Sequence, residues 1–324
     1  CYFHVIRGYG TRSVPATLLR HTECACYFHG VEWARTTVRP RKLSCARMST
    51  PRLSQVQIDL VQELAQRAGQ EILTVYESDD FDVEAKGDGS PLTRADKLAH
   101  DTIVAGLQQL TPDIPVLSEE SEGVTYEIRK DWESFWLVDP LDGTKEFIKR
   151  NGEFTVNIAL IDNHMPAFGV VFAPVLGRVY CGGPGYGATL TDSAGQRMAL
   201  KVSDYAHGKA TVVASRSHRG EAVDAFIAAL TAREETPEVS SMGSSLKICL
   251  VAEGAADVYP RLGPTCEWDT AAAHAVVTGA GGQVTDTSGT PLKYNKQNIL
   301  NPWFLVFGSG GYDWLSLTSG GGTA

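Results

Sequence analysis

Asp139 and Asp142 lie in the run Asp139-Pro-Leu-Asp-Gly-Thr144, directly after the apolar residues Phe135-Trp-Leu-Val138. Two carboxylates at the end of a buried strand are hard oxygen donors of the kind that hold magnesium. Gly143 permits a sharp turn, and Thr144 adds a hydroxyl. The free backbone N–H groups of Gly143 and Thr144 can face an anion. Pro140 restricts Asp139 to extended geometry, and a carboxylate held against apolar residues needs a partner. Cation ligands beside an anion cradle point to metal-assisted work on a phosphate ester.

Further acids sit at comparable places: Asp96 at a helix start, Glu119-Glu120 after a short apolar run, and Asp269 after Trp268. Taken singly, an Asp at a helix start is ordinarily an N-cap, and a Glu pair in a loop is a solvated face. In the second half, Ser215-Arg-Ser-His218 follows a strand pattern, at the kind of loop where α/β units bind ligands. Ser244, Ser245 and Lys247 open a helix, and Arg261 lies in a Pro/Gly-rich loop. Lys247 and Arg261 also read as surface charges, and His218 as a loop residue. Cys24 and Cys26 with His21 and His29 fit no standard zinc spacing.

The elements that would carry these residues follow from periodicity. Val56, Leu60, Leu64, Ala68 and Ile72 recur every four residues and predict a helix over 54–76. A polar loop is expected over 86–91, then a second helix from Thr93 with Leu98, Ile103, Leu107 and Leu110, ended by Pro112 and Pro115. Strands are expected at 116–118 and 135–138, then a hairpin of 155–161 and 167–172 about Asp162-Asn-His164, and a strand at 179–181. The Gly-rich stretch 182–187 reads as a turn. Strands at 211–215, 239–242, 256–259, 283–286 and 303–307 then alternate with helices over 221–233, 245–253 and 269–279. An α+β half thus precedes an alternating β/α half. The expected domains are 48–205, binding metal, and 206–316, selecting substrate, with a flexible tail over 317–324.

The 324-residue chain is 43% hydrophobic and 21% charged, a globular composition. No apolar stretch reaches the roughly 18 residues of a membrane span. Residues 1–47 hold eight Lys/Arg against Glu23 and Glu32, leaving −15 on the remainder of a chain whose total is −9. Such an acidic body disfavours nonspecific nucleic-acid binding, although bound cations can invert the local field for a phosphate. Only Cys181, Cys249 and Cys266 follow residue 47, too few for a disulfide framework, which suggests a reducing compartment. The Arg-rich, acid-poor segment 1–47 fits a transit peptide. The preferred reading takes Met48 as the start and 1–47 as a disordered or non-native extension.

Together, Glu119-Glu120, Asp139-Pro-Leu-Asp-Gly-Thr144 and Trp268-Asp269 resemble the inositol monophosphatase superfamily in order and approximate spacing, over nearly all of residues 50–315. Asp142-Gly-Thr-Lys-Glu-Phe147, Gly243-Ser-Ser-Leu-Lys247 and Tyr259-Pro-Arg-Leu-Gly-Pro264 are most similar to its 3′(2′),5′-bisphosphate nucleotidases. The resemblance implies a mixed α+β and α/β chain in a layered αβαβα sugar-phosphatase-like fold. It also implies that Glu119, Asp139, Asp142, Asp269 and the Leu141 carbonyl ligate two or three magnesium ions, paired metals lying roughly 4 Å apart. Thr144, hydrogen-bonded to Asp96, would orient a water activated chiefly by the metal. Leu141, Asp142, Gly143, Thr144 and Asp269 would meet the scissile phosphate, with Glu120 behind Glu119. Ser215, His218, Ser244, Ser245, Lys247 and Arg261 would grip a second phosphate and the nucleoside. Lys145 and Glu146 are assigned no catalytic role.

The implied reaction removes the 3′-phosphate of adenosine 3′,5′-bisphosphate to give AMP, with the sulfated nucleotide as a further substrate and a place in sulfate assimilation. Inositol monophosphate or a sugar bisphosphate is the alternative substrate for the same chemistry. A nucleotide-binding protein without turnover ranks last, because it predicts loss of a ligand or of Thr144. The expected protein is cytoplasmic, with peripheral contact at the inner membrane face left open. It is a monomer or weak homodimer, and its partner is a small phosphorylated nucleotide.

Overall fold

The computed structural model describes residues 52–78, 84–85, 91–215 and 220–318. The expectations for 1–47, for most of the 86–91 loop, for His218 and for 319–324 of the tail lie outside these residues. The first half runs α1 (Gln55–Tyr76), β1 (Glu84–Ala85), β2 (Pro91–Leu92), α2 (Arg94–Leu110), β3 (Val116–Ser118), α3 (Tyr126–Arg129) and β4 (Ser134–Asp142). It continues through α4 (Thr144–Ile148), β5 (Thr155–Asp162), β6 (Met165–Ala173), β7 (Arg178–Gly183), β8 (Gly187–Thr191) and β9 (Arg197–Ala199). The second half runs β10 (Thr211–Ser215), α5 (Glu221–Thr231), β11 (Glu238–Met242), α6 (Leu246–Ala252) and β12 (Val258–Arg261). It ends with α7 (Ala271–Gly279), β13 (Gln283–Asp286), β14 (Phe304–Phe307) and a 3-10 turn over Leu315–Thr318.

Strands β3 to β9 form a seven-stranded sheet in sequence order. Only its β3–β4 pair is parallel. The second sheet has the order β11-β10-β12-β14-β13, parallel across its first three strands and antiparallel across the rest. Side chains alternate across the first sheet. Trp136, Val138, Val156, Ile158 and Leu160 pack with α1 and α2, while Phe135, Leu137, Ala159 and Ile161 face α6 and α7. The second sheet divides likewise: Val213, Tyr259, Phe304 and Val306 join the core of α6 and α7, and Val212, Val258, Leu305 and Phe307 meet Phe226 and Leu230 of α5. Helices, sheet, helices, sheet and helix are therefore stacked as the expected αβαβα layers, each sheet burying both faces.

Local chemistry sets several boundaries. Ser54 caps α1 reciprocally with Gln57. In the β5–β6 hairpin, Asn163 and His164 both adopt positive φ, the turn geometry that matches strand twist. Three expectations need correction. Val56 and Leu60 are exposed, at 68% and 43%, and α1 instead buries Ile58, Val61, Leu64, Ala65, Ala68, Ile72 and Val75. A spacing of four drifts by about 40° per step on a 3.6-residue helix, so four-residue matches leave the buried stripe within three turns. Gly182 and Gly183 belong to β7, and the strands β8 and β9 extend a region read only as a turn. Leu317 and Thr318, expected in a flexible tail, close the 3-10 turn, because Trp314 and Leu317 bury apolar surface against the second sheet.

Candidate active site

The ladder of β4 against β5 changes register between Asp139 and Asp142. Pro140 has no N–H to give to that ladder. The Leu141 N–H turns to Asp139 Oδ1 at 3.1 Å. Gly143 then adopts φ 95° as the cap of α4, a left-handed conformation that strains any side chain. Its ideal Cβ would also lie 3.2 Å from the Glu153 carbonyl oxygen. This sequence of bulge, glycine turn and helix start places Asp139, Leu141, Asp142, Gly143 and Thr144 along one wall of a cavity of about 280 Å³.

Other elements complete the wall. Glu119 follows β3, and its N–H donates to the Val138 carbonyl at 3.0 Å, so it is registered against β4. Asp269 precedes α7 and is fixed by the Cys266 N–H, which donates to its Oδ2 at 2.8 Å. Both line the cavity, as do Ser244, Ser245, Lys247 and Arg261 from the second half. The cavity thus joins the expected metal-ligating acids Glu119, Asp139, Asp142 and Asp269 to the basic residues Lys247 and Arg261. Burial raises the Asp139 carboxyl well above its usual range, and the charges of Glu119, Asp142, Asp269 and Asp96 push the same way. Burial and Asp142 likewise carry Asp269 to about 8, against the lowering effect of the Cys266 N–H. Burial lowers the Lys247 ammonium to about 8, despite the opposing charge of Asp142.

Buried carboxylates that also crowd one another are those that a divalent cation can neutralise, and an all-oxygen set suits a hard ion. The residues present therefore fit a metal by donor chemistry and shared location. Among the described residues, no three His, Cys, Asp or Glu side chains already converge in ligating geometry. Asp142 in particular is engaged with the protein: its Oδ2 accepts from the Ser245 N–H at 2.6 Å and lies 2.7 Å from the Ser245 hydroxyl.

Some expected site residues stand elsewhere. Asp96 is buried at the start of α2, where its Oδ2 accepts from the Thr93 N–H at 2.8 Å and the Thr93 hydroxyl at 2.5 Å. The expected Thr144–Asp96 hydrogen bond is replaced: the Thr144 hydroxyl donates to the Leu141 carbonyl at 3.4 Å. A capping box explains the difference, since Asp96 is the third residue of the helix and satisfies its free N-terminal donors. Glu120, expected behind Glu119 and not on the wall, is half-buried and outside the cavity lining. Ser215 ends β10. Conversely, Lys145, Glu146, Tyr259, Thr265, Thr270 and Phe304 line the cavity without having been assigned a role. Thr155 and Asn157, which support the site from β5, were also missed. Their signal was two polar residues at alternate positions of an otherwise apolar strand.

The cavity can be set beside known proteins. The inositol monophosphatase family model matches residues 54–303. A 3′(2′),5′-bisphosphate nucleotidase CysQ of Escherichia coli O6:H1 is 50% identical over 251 residues, 77% of this chain and 98% of that protein. The crystal structure of CysQ from Bacteroides thetaiotaomicron, a bacterial member of the inositol monophosphatase family, superposes with TM-score 0.71 at 44% identity, covering 79% of this chain and 98% of that one. An inositol monophosphatase from Anabaena gives 0.62 at 26% identity, over 82% and 95% of the two chains. By sequence, by fold and by the acids that meet in the cavity, the chain belongs to the inositol monophosphatase family.

Proposed function

We propose that this chain is a magnesium-dependent 3′(2′),5′-bisphosphate nucleotidase that hydrolyses the 3′-phosphate of adenosine 3′,5′-bisphosphate to give AMP. The sulfated nucleotide is a second substrate, which places the enzyme in sulfate assimilation. The carrying observation is the single cavity that joins Glu119, Asp139, Asp142 and Asp269 to Lys247 and Arg261. A phosphomonoester site needs the acids, whereas a second phosphate needs the cations. The names of the relatives at up to 50% identity support the same substrate.

The four carboxylates and the Leu141 carbonyl are the residues that would hold two or three magnesium ions. The ions would supply charge neutralisation and an acidified water. The rest falls to the chain itself. The Gly143 and Thr144 N–H groups, aimed by the left-handed turn, hold phosphoryl oxygens. Because the Thr144 hydroxyl gives its hydrogen to the Leu141 carbonyl, its lone pairs are left as acceptors for a water proton. Asp96 acts on Asp139 through its charge. Lys247 and Arg261 hold the distal phosphate, with Ser244 beside them, while Tyr259 and Phe304 give apolar surface to the nucleoside. Among the described residues, Cys181 and Cys249 are buried thiols outside any disulfide, which supports a reducing cytoplasmic setting.

Inositol monophosphate and sugar bisphosphates are the competing substrates. Phosphate release measured by malachite green, with magnesium and with EDTA, separates them. The expected result is preference for the bisphosphorylated nucleotide and loss of release in EDTA. Preference for inositol monophosphate overturns the substrate, and no release from any of them overturns the enzyme.

A further inference from the structure

Asp142 Oδ2 is a heavily used acceptor in the cavity. The Ser245 N–H donates to it at 2.6 Å, and the Ser245 hydroxyl lies 2.7 Å away. From β5, the Thr155 hydroxyl reaches it at 3.4 Å and the Asn157 amide at 3.5 Å. Among the described residues, Oδ1 receives no such bond. The two oxygens of one carboxylate therefore have separate duties: Oδ2 is tied to the protein, and Oδ1 is left for a cation.

Ser245 is the centre of this arrangement. It is 2% exposed, and its hydroxyl lies 2.8 Å from the Asp269 carbonyl oxygen as well as beside Asp142. A hydroxyl has one hydrogen, so its lone pairs must be served by another donor. Asn157 provides that donor: its Nδ2 lies 2.8 Å from Ser245 Oγ. Asn157 is 1% exposed, on β5 and directly opposite Asp139, so the strand holds it in place. Its Oδ1 is buried without a hydrogen-bond partner, which marks the amide as oriented for its donor side. One chain of hydrogen bonds thus runs from β5 through the turn before α6 to both the β4 acid and the segment before α7. The Ser245 hydroxyl is spent on the protein and is not presented to a ligand.

We infer that Asn157 and Ser245 are a positioning pair that fixes Asp142 and the Asp269 segment for metal binding, with Ser245 acting through these acids and not as a substrate contact. The inference rests on the metal-dependent reading above. Partners behind a ligating carboxylate commonly set metal affinity by 10–100-fold.

The test titrates magnesium alone into the purified protein by calorimetry, with no nucleotide present, for wild type, Asn157→Ala, Ser245→Ala and the double variant. Thermal unfolding in EDTA establishes that each is folded. Both single variants are expected to bind magnesium about 10-fold or more weakly. The double variant should lose little more than either single one, because one hydrogen-bond chain is broken once. KM for the nucleotide at saturating magnesium should change less than about twofold. Wild-type metal affinity in folded Asn157→Ala, or a raised KM with unchanged metal affinity in Ser245→Ala, overturns the pair. If Asn157→Ala does not fold, the same two readouts on Ser245→Ala decide. Failure of the wild type itself to bind magnesium would instead overturn the metal-dependent reading.

Discussion

At the level of single residues, the site works by setting charge against burial. Lys247 is buried against Tyr259, its Nζ 5.7 Å from the ring centre and 2.6 Å from the Ser244 carbonyl. Burial brings its ammonium down to about 8, so it is charged below that pH and neutral above it. If it grips the distal phosphate, KM for the bisphosphate should rise as the pH passes upward through about 8. A pH series of KM on wild type and Lys247→Met checks this: the variant should show a high KM without that step. An identical rise in both would assign the step to another group. Asp142→Asn keeps the volume and one carbonyl acceptor for Ser245 while removing the ligand charge. Turnover should fall by roughly 10²–10³-fold, the scale of losing one preorganised electrostatic group, with the unfolding midpoint in EDTA little changed. Turnover near wild type would remove Asp142 from the site. The Asp-Pro-Leu-Asp-Gly-Thr run was legible in the sequence because Pro and Gly fix local backbone whatever surrounds them. Asn157 was not, since its partners lie 15 and 88 positions away and only the fold brings them near.

Among the elements, α7 is short and Ala-rich because two layers close on it. It packs across β5, β6 and β7, and Ala271, Ala272, Ala273, Ala275, Val276 and Val277 are all buried. At the closest approach, a Cβ on Gly169 of β6 would overlap the backbone carbonyl of Ala272. A backbone atom cannot rotate aside as a side chain can, so Gly169→Ala must push the helix off the sheet. The expected loss is about 1–3 kcal/mol or more, read as a lower midpoint in urea. Asp269 would shift with the start of α7, so metal affinity should fall in the same variant. Stability equal to wild type would show that the layer yields freely. Element types were readable wherever one period ran long, as in α1, α2 and the β5–β6 hairpin. The strands β8 and β9 escaped because β9 is exposed along its length and β8 opens on glycine. The face of α1 was misread because packing against α2, β5 and β6 decides which of several apolar residues turns inward.

Across the whole molecule, the central helical layer couples stability to acid. Helix α7 lies between the two sheets and carries His274, which is 3% exposed and hydrogen-bonded at 2.9 Å to the Tyr294 hydroxyl. Tyr294 belongs to the same loop as Asn295 and Lys296, whose N–H groups and ammonium satisfy the fully buried Glu267 just ahead of Asp269. Asn295 in turn exchanges hydrogen bonds with Arg129 of the first half. Loosening this layer would therefore loosen both sheets and the acid wall together. Burial lowers the His274 pKa from 6.5 to about 3. The unfolded chain then takes up a proton below about 6.5 that the folded chain refuses until about 3. Stability from a neutral His274 is complete above 6.5 and is lost progressively as pH falls towards 3. Each unit in that window corresponds to up to about 1.4 kcal/mol. Between pH 6.5 and 5, wild type should thus lose roughly 1–2 kcal/mol more than His274→Gln, which has nothing to protonate, even though the variant starts less stable at pH 7. Urea unfolding at several pH values, in EDTA to keep metal binding out of the balance, measures the two slopes. Parallel slopes would remove His274 as a source of acid sensitivity; the buried cavity carboxyls, which hold protons more readily in the folded chain than in the unfolded one, push stability the other way as pH falls.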